Sequence, residues 1–226
     1  MENKQQKLFV KSAEQQCSRS VETSKKIDIV FKAFKRNYKL VPLEVFGKSP
    51  YKTLVSTILS SRTRDEVTLV ASKRLFSVAP DLKTIKQLSH KTIESLIYPV
   101  GFYKTKAKHL YALSRSDLVS KILYKGPTLT QAELMKLPGV GRKTANLVLN
   151  RAFGIPAIAV DTHVHRICNV LCWVKTKTPE QTEKELIKII PESYWPELNR
   201  LFVSIGRQYT TNKKLIEFLK KEKIIV

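Results

Sequence analysis

Residues 130–171 read TQAELMKLPGVGRKTANLVLNRAFGIPAIAVDTHVHRICNVL, and this stretch decides the fold. Thr130 and Glu133 have the spacing of a capping box, in which each side chain bonds to the backbone of the other residue, so we expect a helix to begin there. The sequence PGVG at residues 138–141 stops that helix, and a new apolar series at helical spacing follows it. The stretch therefore predicts a helix, a short turn and a second helix.

The predicted turn has the features of a phosphate-binding site. Gly139 and Gly141, with Val140 between them, leave the backbone open to a close neighbour and lead into a helix N-terminus whose N–H groups suit an anion. An ordinary helical hairpin would need the same glycines for the turn alone, so this pattern is not specific by itself. Arg142 and Lys143 follow directly and add two cations where a phosphate would lie. Together these residues favour contact with nucleic acid.

Lys143 lies on the side of its predicted helix opposite the apolar residues, so it does not belong to the helix's own core contact. A lysine in such a place is usually solvated or bound to phosphate. It can also act as an amine nucleophile, because the positive end of the helix dipole and the cationic chain both disfavour the ammonium form. The residue pattern alone leaves both interpretations open.

Asp161 ends the apolar run at residues 155–160 and precedes another helical pattern. The simplest interpretation is an N-cap that accepts hydrogen bonds from backbone N–H groups of the next turn. A carboxylate held in this way can also stabilise a nearby positive charge or relay a proton. The two roles do not exclude each other.

The composition points to a polyanionic partner. The 226 residues contain 41 Lys and Arg against 19 Asp and Glu, which gives a formal charge of +22 at pH 7. An anionic membrane would also attract such a chain, but no segment approaches the roughly 18 apolar residues of a spanning helix, and no signal-peptide pattern is present. Nucleic acid is therefore the expected partner. We expect an intracellular protein located with the DNA, in the cytoplasm or nucleoid, or in the nucleus of a eukaryote.

The three cysteines, Cys17, Cys168 and Cys172, form no disulfide framework, and we expect them to be reduced and buried. A metal site of Cys168 and Cys172 with His163 or His165 is conceivable, but the spacing matches no common zinc pattern. We therefore predict no metal site.

Helix signals dominate the rest of the chain and strand signals are scarce, so we predict an all-α fold of about ten helices. Residues 1–24 are polar without steady periodicity, and we expect a mobile tail there. Thr63 and Glu66 have capping-box spacing, which predicts that a helix starts at the polar, cationic corner of residues 60–65.

Two aromatic residues, Phe102 and Tyr103, precede a basic helix that begins near Lys104 and includes Lys106. Aromatic side chains in a loop beside a lysine cluster suit stacking on nucleic-acid bases. The same two residues could instead close the core over the end of the preceding helix. The pattern does not decide between these interpretations.

The segment LPGVGRKTANLVLNRAFGIPAIAVDTHVHRICN, residues 137–169, resembles the helix-hairpin-helix and catalytic-aspartate signature of the endonuclease III branch of DNA glycosylases. In that family the lysine of the G-R-K-T-A segment attacks the sugar C1′ atom, and the aspartate of V-D-T-H activates the lysine and stabilises charge. The resemblance therefore implies that Lys143 and Asp161 are the catalytic residues.

The resemblance also implies a two-lobed fold. A six-helix barrel would occupy residues 43–155, and a second helical lobe would combine residues 25–42 with residues 156–226. In the family the DNA lies across the cleft between the lobes, so the two catalytic residues are expected to face each other across it.

Two further segments resemble motifs of the family. ILSSRTRD at residues 58–65 resembles L-L-S-x-Q-T-x-D, whose glutamine fills the gap left by an extruded nucleotide, and Arg62 stands at the position of that glutamine. VGFYKTKA at residues 100–107 resembles the loop whose hydrophobic residue wedges the opposite strand, with Phe102 in that place. The DNA-binding residues expected from the pattern and the resemblance are Arg62, Phe102, Lys104, Lys106, Gly139, Val140, Gly141 and Arg142. The expected base-pocket residues are Ser60, Asp65 and His163.

The chain departs from the family at the C-terminal iron–sulfur motif C-x6-C-x2-C-x5-C. The four positions hold Thr210, Glu217, Lys220 and Val226, so no thiolate is available. We therefore predict that the protein has no cluster and no other cofactor.

The resemblance implies a bifunctional DNA glycosylase and abasic-site lyase of base-excision repair, acting as a monomer on double-stranded DNA that carries a damaged base, with oxidised pyrimidines as the substrate class. One alternative is a monofunctional glycosylase for mismatched or deaminated bases, which would need a water nucleophile rather than the amine of Lys143. Another is a helix-hairpin-helix module that binds DNA without chemistry, which would require neither Lys143 nor Asp161.

Overall fold

The computed structural model describes residues 26–47 and 49–225, and within these ranges the chain is helical with no strand. The all-α prediction is thereby confirmed, whereas the predicted tail at residues 1–24 lies outside the described residues. The α-helices, numbered in chain order, are α1 (26–36), α2 (Pro50–Ser60), α3 (Asp65–Val78), α4 (Leu82–Gln87), α5 (His90–Ile97), α6 (Tyr103–Arg115), α7 (Asp117–Leu123), α8 (Gln131–Leu134), α9 (Arg142–Phe153), α10 (Thr162–Val170), α11 (Pro179–Ile189), α12 (Trp195–Gln208) and α13 (Asn212–Lys221). Short 3₁₀ turns lie at Pro42–Phe46, Gly126–Thr128 and Glu192–Tyr194.

Side-chain capping bonds mark the starts of six helices in the described residues, α2, α4, α5, α8, α11 and α13. The Thr130 hydroxyl accepts from the Glu133 N–H at 3.3 Å, and the Glu133 carboxylate accepts from the Thr130 N–H at 3.0 Å, so the predicted capping box is confirmed. The short helices α4 and α7 were not predicted, which is why the described residues contain more helices than expected. The start of α4 is marked by a less common pair, in which Asp81 and Thr84 cap each other.

The prediction that Thr63 and Glu66 form a capping box is wrong. Helix α3 begins at Asp65, and its N-cap residue Arg64 makes no side-chain capping bond. The Thr63 hydroxyl instead accepts a hydrogen bond from the Gly101 N–H at 3.1 Å. A partner distant in sequence has therefore displaced the local one.

The chain divides into two compact units, and each is described by itself. The middle unit comprises Leu40–Asp161, and the terminal unit comprises the described residues before Leu40 and after Asp161. The predicted barrel ended at residue 155, so residues 156–161 lie with the middle unit rather than with the second lobe. The reason is that side chains of α9 bond to the backbone of this segment, as shown below.

The core of the middle unit is built around α2. Most of its residues are buried, and Leu54, Val55 and Leu59 have no exposed surface. Helix α2 packs against α3 and α9, and α5 packs against α6. The phenol of Tyr51 donates to the carbonyl of Ala79 at 3.0 Å, so even the polar end of this buried ring has a partner.

The core of the terminal unit is aromatic. The ring of Phe202 on α12 lies 5.8 Å from Phe31 and 4.9 Å from Phe34, both on α1. The ring of Tyr209 stacks on Phe218 of α13 with centroids 4.4 Å apart. These contacts attach both ends of the described chain to α12 and to the residue that follows it.

The residues at the positions of the iron–sulfur motif do not fit a cluster. Thr210, Glu217 and Lys220 are exposed, and their side chains offer no thiolate. The buried side of α13 consists of Leu215, Phe218 and Leu219. This part of the terminal unit is thus held by apolar packing.

Two smaller observations complete the fold. Cys168 is buried as expected, but Cys172 is exposed, because it lies beyond the end of α10 in a left-handed conformation with φ of 55°. Among the described residues, none of the helices is both long and apolar enough to cross a membrane.

Candidate active site

The hairpin between α8 and α9 depends on a glycine at one particular position. Gly139 has φ of +79°, and a Cβ atom there would lie 2.8 Å from the Nδ1 atom of His109 on α6. Both the backbone conformation and the close approach therefore require glycine. Gly141 is different, because its φ is −95° and a Cβ atom would meet nothing within 4 Å. The space beside Gly141, at the N-terminus of α9, is therefore open.

The residues of the hairpin are not equally available to a ligand. Gly139, Gly141 and Arg142 are exposed, as expected of a phosphate-binding turn. Val140 is 7% exposed, and its N–H donates to the carbonyl of Leu137 at 3.1 Å. The prediction that Val140 contacts DNA is therefore corrected: its side chain belongs to the core and its N–H is used within the turn.

Lys143 and Asp161 lie next to each other. The Nζ atom of Lys143 is 4.0 Å from the Oδ2 atom of Asp161, with 48% of the lysine side chain and 12% of the aspartate side chain exposed. The amine thus faces solvent beside a largely shielded carboxylate. Such a pair can bring a nucleophile and a charge-stabilising acid to the same small region.

Asp161 is held in place by a segment that α9 anchors. The amide of Asn146 donates to the carbonyl of Ile158 at 2.8 Å, and the amide of Asn150 donates to the carbonyl of Ala157 at 3.1 Å. Asn146 is 3% exposed, and its amide oxygen accepts from Gln131 at 2.5 Å. Two backbone carbonyls of the extended segment before Asp161 therefore accept hydrogen bonds from side chains of one helix.

This anchoring corrects one expectation. The resemblance implied that Lys143 and Asp161 face each other across a cleft between two lobes, but both belong to the middle unit. The structural role of Asn146 was not predicted. A signal was present, because Asn146 and Asn150 are one helical turn apart and precede an extended apolar run with no strand to pair with.

A second group of residues surrounds the corner between α2 and α3. Arg62 and Phe102 are both exposed and both have left-handed backbone, with φ of 51° and 56°. The guanidinium carbon of Arg62 lies 5.6 Å from the centre of the Phe102 ring. The two residues predicted to enter the duplex are therefore adjacent, in a cation–π arrangement.

A cavity of about 300 Å³ connects this pair with the hairpin. The residues lining it include Ser61, Arg62, Phe102, Thr105, His109 and Gly139. Phe102 does not close the core over the end of the preceding helix, because 62% of its surface is exposed. Lys104 is exposed as well, on the first turn of α6.

Lys106 does not behave as predicted. It is only 6% exposed, and its ammonium group donates to the carbonyls of Leu59 and Ser61 at 2.8 and 2.5 Å and to the hydroxyl of Thr63 at 3.1 Å. An ammonium group has three donors, and all three are used here. The prediction that Lys106 binds phosphate is therefore corrected. Burial lowers the pKa of this lysine to about 8.

The three predicted base-pocket residues belong to different units. Ser60 and Asp65 lie in the middle unit, where the Ser60 hydroxyl donates to the carbonyl of Thr57 at 2.9 Å and Asp65 opens α3. His163 lies in the terminal unit, against α12, where a Cβ atom on Gly206 would come within 2.5 Å of its Nδ1 atom. Gly206 is therefore required for this contact. No group of three or more potential metal ligands occurs within the described ranges.

Comparison with known proteins adds to this geometry. The model of the HhH-GPD superfamily of base-excision DNA repair proteins matches residues 55–192. The endonuclease III of Thermotoga maritima is 46% identical over 179 residues, which cover 79% of this chain and 80% of that protein. The chain spans about half the length of the vertebrate endonuclease III-like proteins it matches.

Two solved structures are similar to the chain. A non-covalent endonuclease III–DNA complex has a TM-score of 0.69 and 30% identity, over 93% of this chain and 96% of that chain. A trapped covalent endonuclease III–DNA intermediate has a TM-score of 0.64 and 36% identity, over 72% of this chain and 76% of that chain.

Proposed function

This chain belongs to the HhH-GPD superfamily of base-excision DNA repair proteins, as a DNA glycosylase and abasic-site lyase of the endonuclease III type. We propose that it excises oxidised pyrimidines through a Schiff base on Lys143. The observation that carries the proposal is the 4.0 Å separation between the Lys143 amine and the Asp161 carboxylate. The similar solved structure of a trapped covalent endonuclease III–DNA intermediate supports the proposal.

The reaction follows from the two side chains. A damaged nucleotide must leave the stack before its C1′ atom can be reached. The free amine of Lys143 attacks C1′, the bond to the base breaks, and the base leaves with its electron pair and takes up a proton. The sugar ring opens to give a Schiff base. Loss of a proton from C2′ then expels the 3′ phosphate by β-elimination, and water releases the lysine.

Asp161 supports this reaction in two ways. Its carboxylate stabilises the positive charge that develops on the sugar and on the attacking nitrogen. It also accepts the proton that the lysine must lose. Because only 12% of its side chain is exposed, these electrostatic effects are stronger than in open water.

The remaining site residues bind the DNA. Gly139, Gly141 and Arg142 hold phosphate at the start of α9, where the helix dipole favours an anion. Lys104 adds a second phosphate contact, Arg62 fills the space left by the extruded nucleotide, and Phe102 wedges the opposite strand. Ser60 and Asp65, both in the middle unit, contact the extruded base. The protein acts as a monomer on damaged double-stranded DNA, inside the cell.

Borohydride trapping tests the nucleophile. Wild type, Lys143→Gln and the matched control Lys136→Gln, an exposed lysine just before the same turn, are each incubated with a duplex carrying one abasic site and then reduced. We expect a covalent protein–DNA adduct with wild type and Lys136→Gln and none with Lys143→Gln. An equal adduct with Lys143→Gln would show that another amine reacts.

The same assay separates the alternatives. A monofunctional glycosylase would form no adduct in any variant, but it would release the base from a second duplex that carries a damaged base in place of the abasic site. A binding module would lose DNA affinity in Lys143→Gln to the same extent as in any other hairpin variant that removes one charge. Substrate class is tested with duplexes that carry an oxidised pyrimidine, an oxidised purine or uracil, and we expect the first to be processed fastest.

A further inference from the structure

The buried amine of Lys106 joins two parts of the chain that are distant in sequence. Two of its hydrogen bonds go to the carbonyls of Leu59 and Ser61, at the C-terminal end of α2. The third goes to the hydroxyl of Thr63, beyond that end. The lysine therefore spans the whole corner from which Arg62 projects.

Thr63 extends this connection to the loop that carries Phe102. Its hydroxyl oxygen accepts from Lys106 and from the Gly101 N–H, both at 3.1 Å, and donates to the carbonyl of Ser61 at 3.2 Å. A Cβ atom on Gly101 would lie 2.7 Å from the carbonyl oxygen of Arg62, so the two loops touch at this point. The corner and the loop are thus joined immediately beside the two exposed side chains.

Both exposed side chains need such support. Arg62 and Phe102 have φ of 51° and 56°, a region that residues with side chains rarely occupy. A left-handed residue persists only where its surroundings fix it. The surroundings here are the bonds of Lys106 and Thr63.

A simpler role for Lys106 would be to satisfy the last carbonyls of α2, as cations near helix C-termini often do. That role requires the bonds to Leu59 and Ser61. It does not require the bond from Lys106 to the Thr63 hydroxyl, or the second bond that this hydroxyl accepts from the Gly101 N–H. The additional link is what suggests a function in the site.

We propose that Lys106 is a positioning residue that, through Thr63, fixes Arg62 and Phe102 at the spacing with which they enter the DNA duplex. This inference rests on the proposed function, because it assumes that Arg62 fills the gap of an extruded nucleotide and that Phe102 wedges the opposite strand. Lys106 also lines the cavity beside these two residues, but the three donors of its ammonium group are all taken by the protein.

The test compares two substrates that need the same chemistry. One is a duplex with an abasic site, and the other is the same damaged strand without its complement, in which there is no stacked duplex for the side chains to enter. Adduct formation is measured in single turnover with wild type, Lys106→Met and the control Lys121→Met, an exposed lysine on α7. We expect Lys106→Met to slow the reaction on the duplex by roughly tenfold to a hundredfold and on the single strand by much less.

Thr63 provides a second variant that preserves the buried lysine. Thr63→Val removes the hydroxyl but keeps the shape, and Thr63→Ser keeps the hydroxyl. We expect the valine variant to lose rate on the duplex selectively and the serine variant to restore it. Equal losses on both substrates in Lys106→Met and Thr63→Val, or no loss on either, would overturn the inference.

A fluorescence measurement separates this inference from the proposed function. 2-Aminopurine placed opposite the abasic site brightens when a protein side chain displaces it from the stack. We expect wild type and Lys121→Met to brighten it and Lys106→Met and Thr63→Val to do so less. This readout needs no covalent step. If the wild type formed no adduct, the Schiff-base proposal would fail, but the fluorescence change would still test the role of Lys106.

Discussion

At the residue scale, the chemistry depends on whether Asp161 acts as a carboxylate or only as a helix cap. Asparagine caps helices as well as aspartate does but carries no charge. We expect Asp161→Asn to slow single-turnover adduct formation by roughly a hundredfold, with little change in thermal stability or DNA affinity. Full activity in Asp161→Asn together with lost activity in Asp161→Ala would show that Asp161 acts only as a helix cap.

Lys106 links stability to pH. Its pKa in the folded protein is about 8, below the ordinary lysine value of 10.5. Below about pH 8 both the folded and the unfolded states carry the proton, so the cost of burying the charge is constant. Between these two pKa values the unfolded state binds more protons than the folded state, and stability rises with pH.

The prediction concerns the difference between two proteins. The free energy of unfolding of wild type, measured relative to Lys106→Met by urea denaturation, should increase between about pH 8 and pH 9.5 by roughly 1 to 2 kcal/mol. Subtracting the variant removes the titration of the other groups that both proteins share. A difference that is flat or falls over this range would contradict the lowered pKa.

At the element scale, the two glycines of the hairpin should respond differently to the same change. Gly139→Ala places a side chain on left-handed backbone and against His109, and we expect it to cost about 1 to 3 kcal/mol of stability. Gly141→Ala meets no neighbour, so we expect unchanged stability but weaker DNA binding, because the new methyl group stands at the start of α9. Thermal denaturation and binding titrations on both variants check this. Equal loss of stability in both would contradict it.

The segment that carries Asp161 should depend on Asn146. Asn146→Ala leaves the buried carbonyl of Ile158 without its donor, which costs about 1 to 3 kcal/mol and releases the backbone three residues before Asp161. We expect the rate of adduct formation to fall more than DNA affinity. The control Gln131→Ala removes only the other bond of Asn146 and should leave the rate nearly unchanged. A loss of affinity alone would argue against this anchor.

Elements were predictable from the sequence where their signals are local. Thr130 and Glu133 bond within one turn, and the helix start that they mark lies where expected. Thr63 with Glu66 has the same spacing but failed, because Gly101 and Lys106 compete for the same hydroxyl. Such competition depends on tertiary contacts, which spacing along the chain does not contain.

The same distinction holds for the site. The adjacency of Lys143 and Asp161 followed from a long resemblance, whereas the residues that position them did not. Asn146 was not predicted as a site residue, and it is buried where the segment after α9 folds back onto that helix. Lys106 was expected to bind DNA from an exposed position, and it is also buried. Burial of a polar side chain is decided by what packs over it.

At the scale of the whole molecule, the question is which contacts stabilise the terminal unit, because its sequence lacks the four cysteines of the iron–sulfur motif. Phe218 contacts both Phe34 and Tyr209, with ring centroids 6.1 and 4.4 Å apart. We expect Phe218→Ala to lower the free energy of unfolding by about 3 kcal/mol. The purified wild type should contain neither iron nor acid-labile sulfide, which elemental and sulfide analysis of the holoprotein checks. Stoichiometric iron would contradict this description.

The stack of Tyr209 on Phe218 has a physiological consequence. The prediction that no cluster is bound implies that this lobe needs no step of metallation by an assembly pathway. It also implies that superoxide and nitric oxide, which dismantle such metal centres, do not inactivate the protein by that route. We therefore expect repair by this protein to continue under nutritional iron starvation and during an oxidative burst, when the demand for removing oxidised bases is greatest.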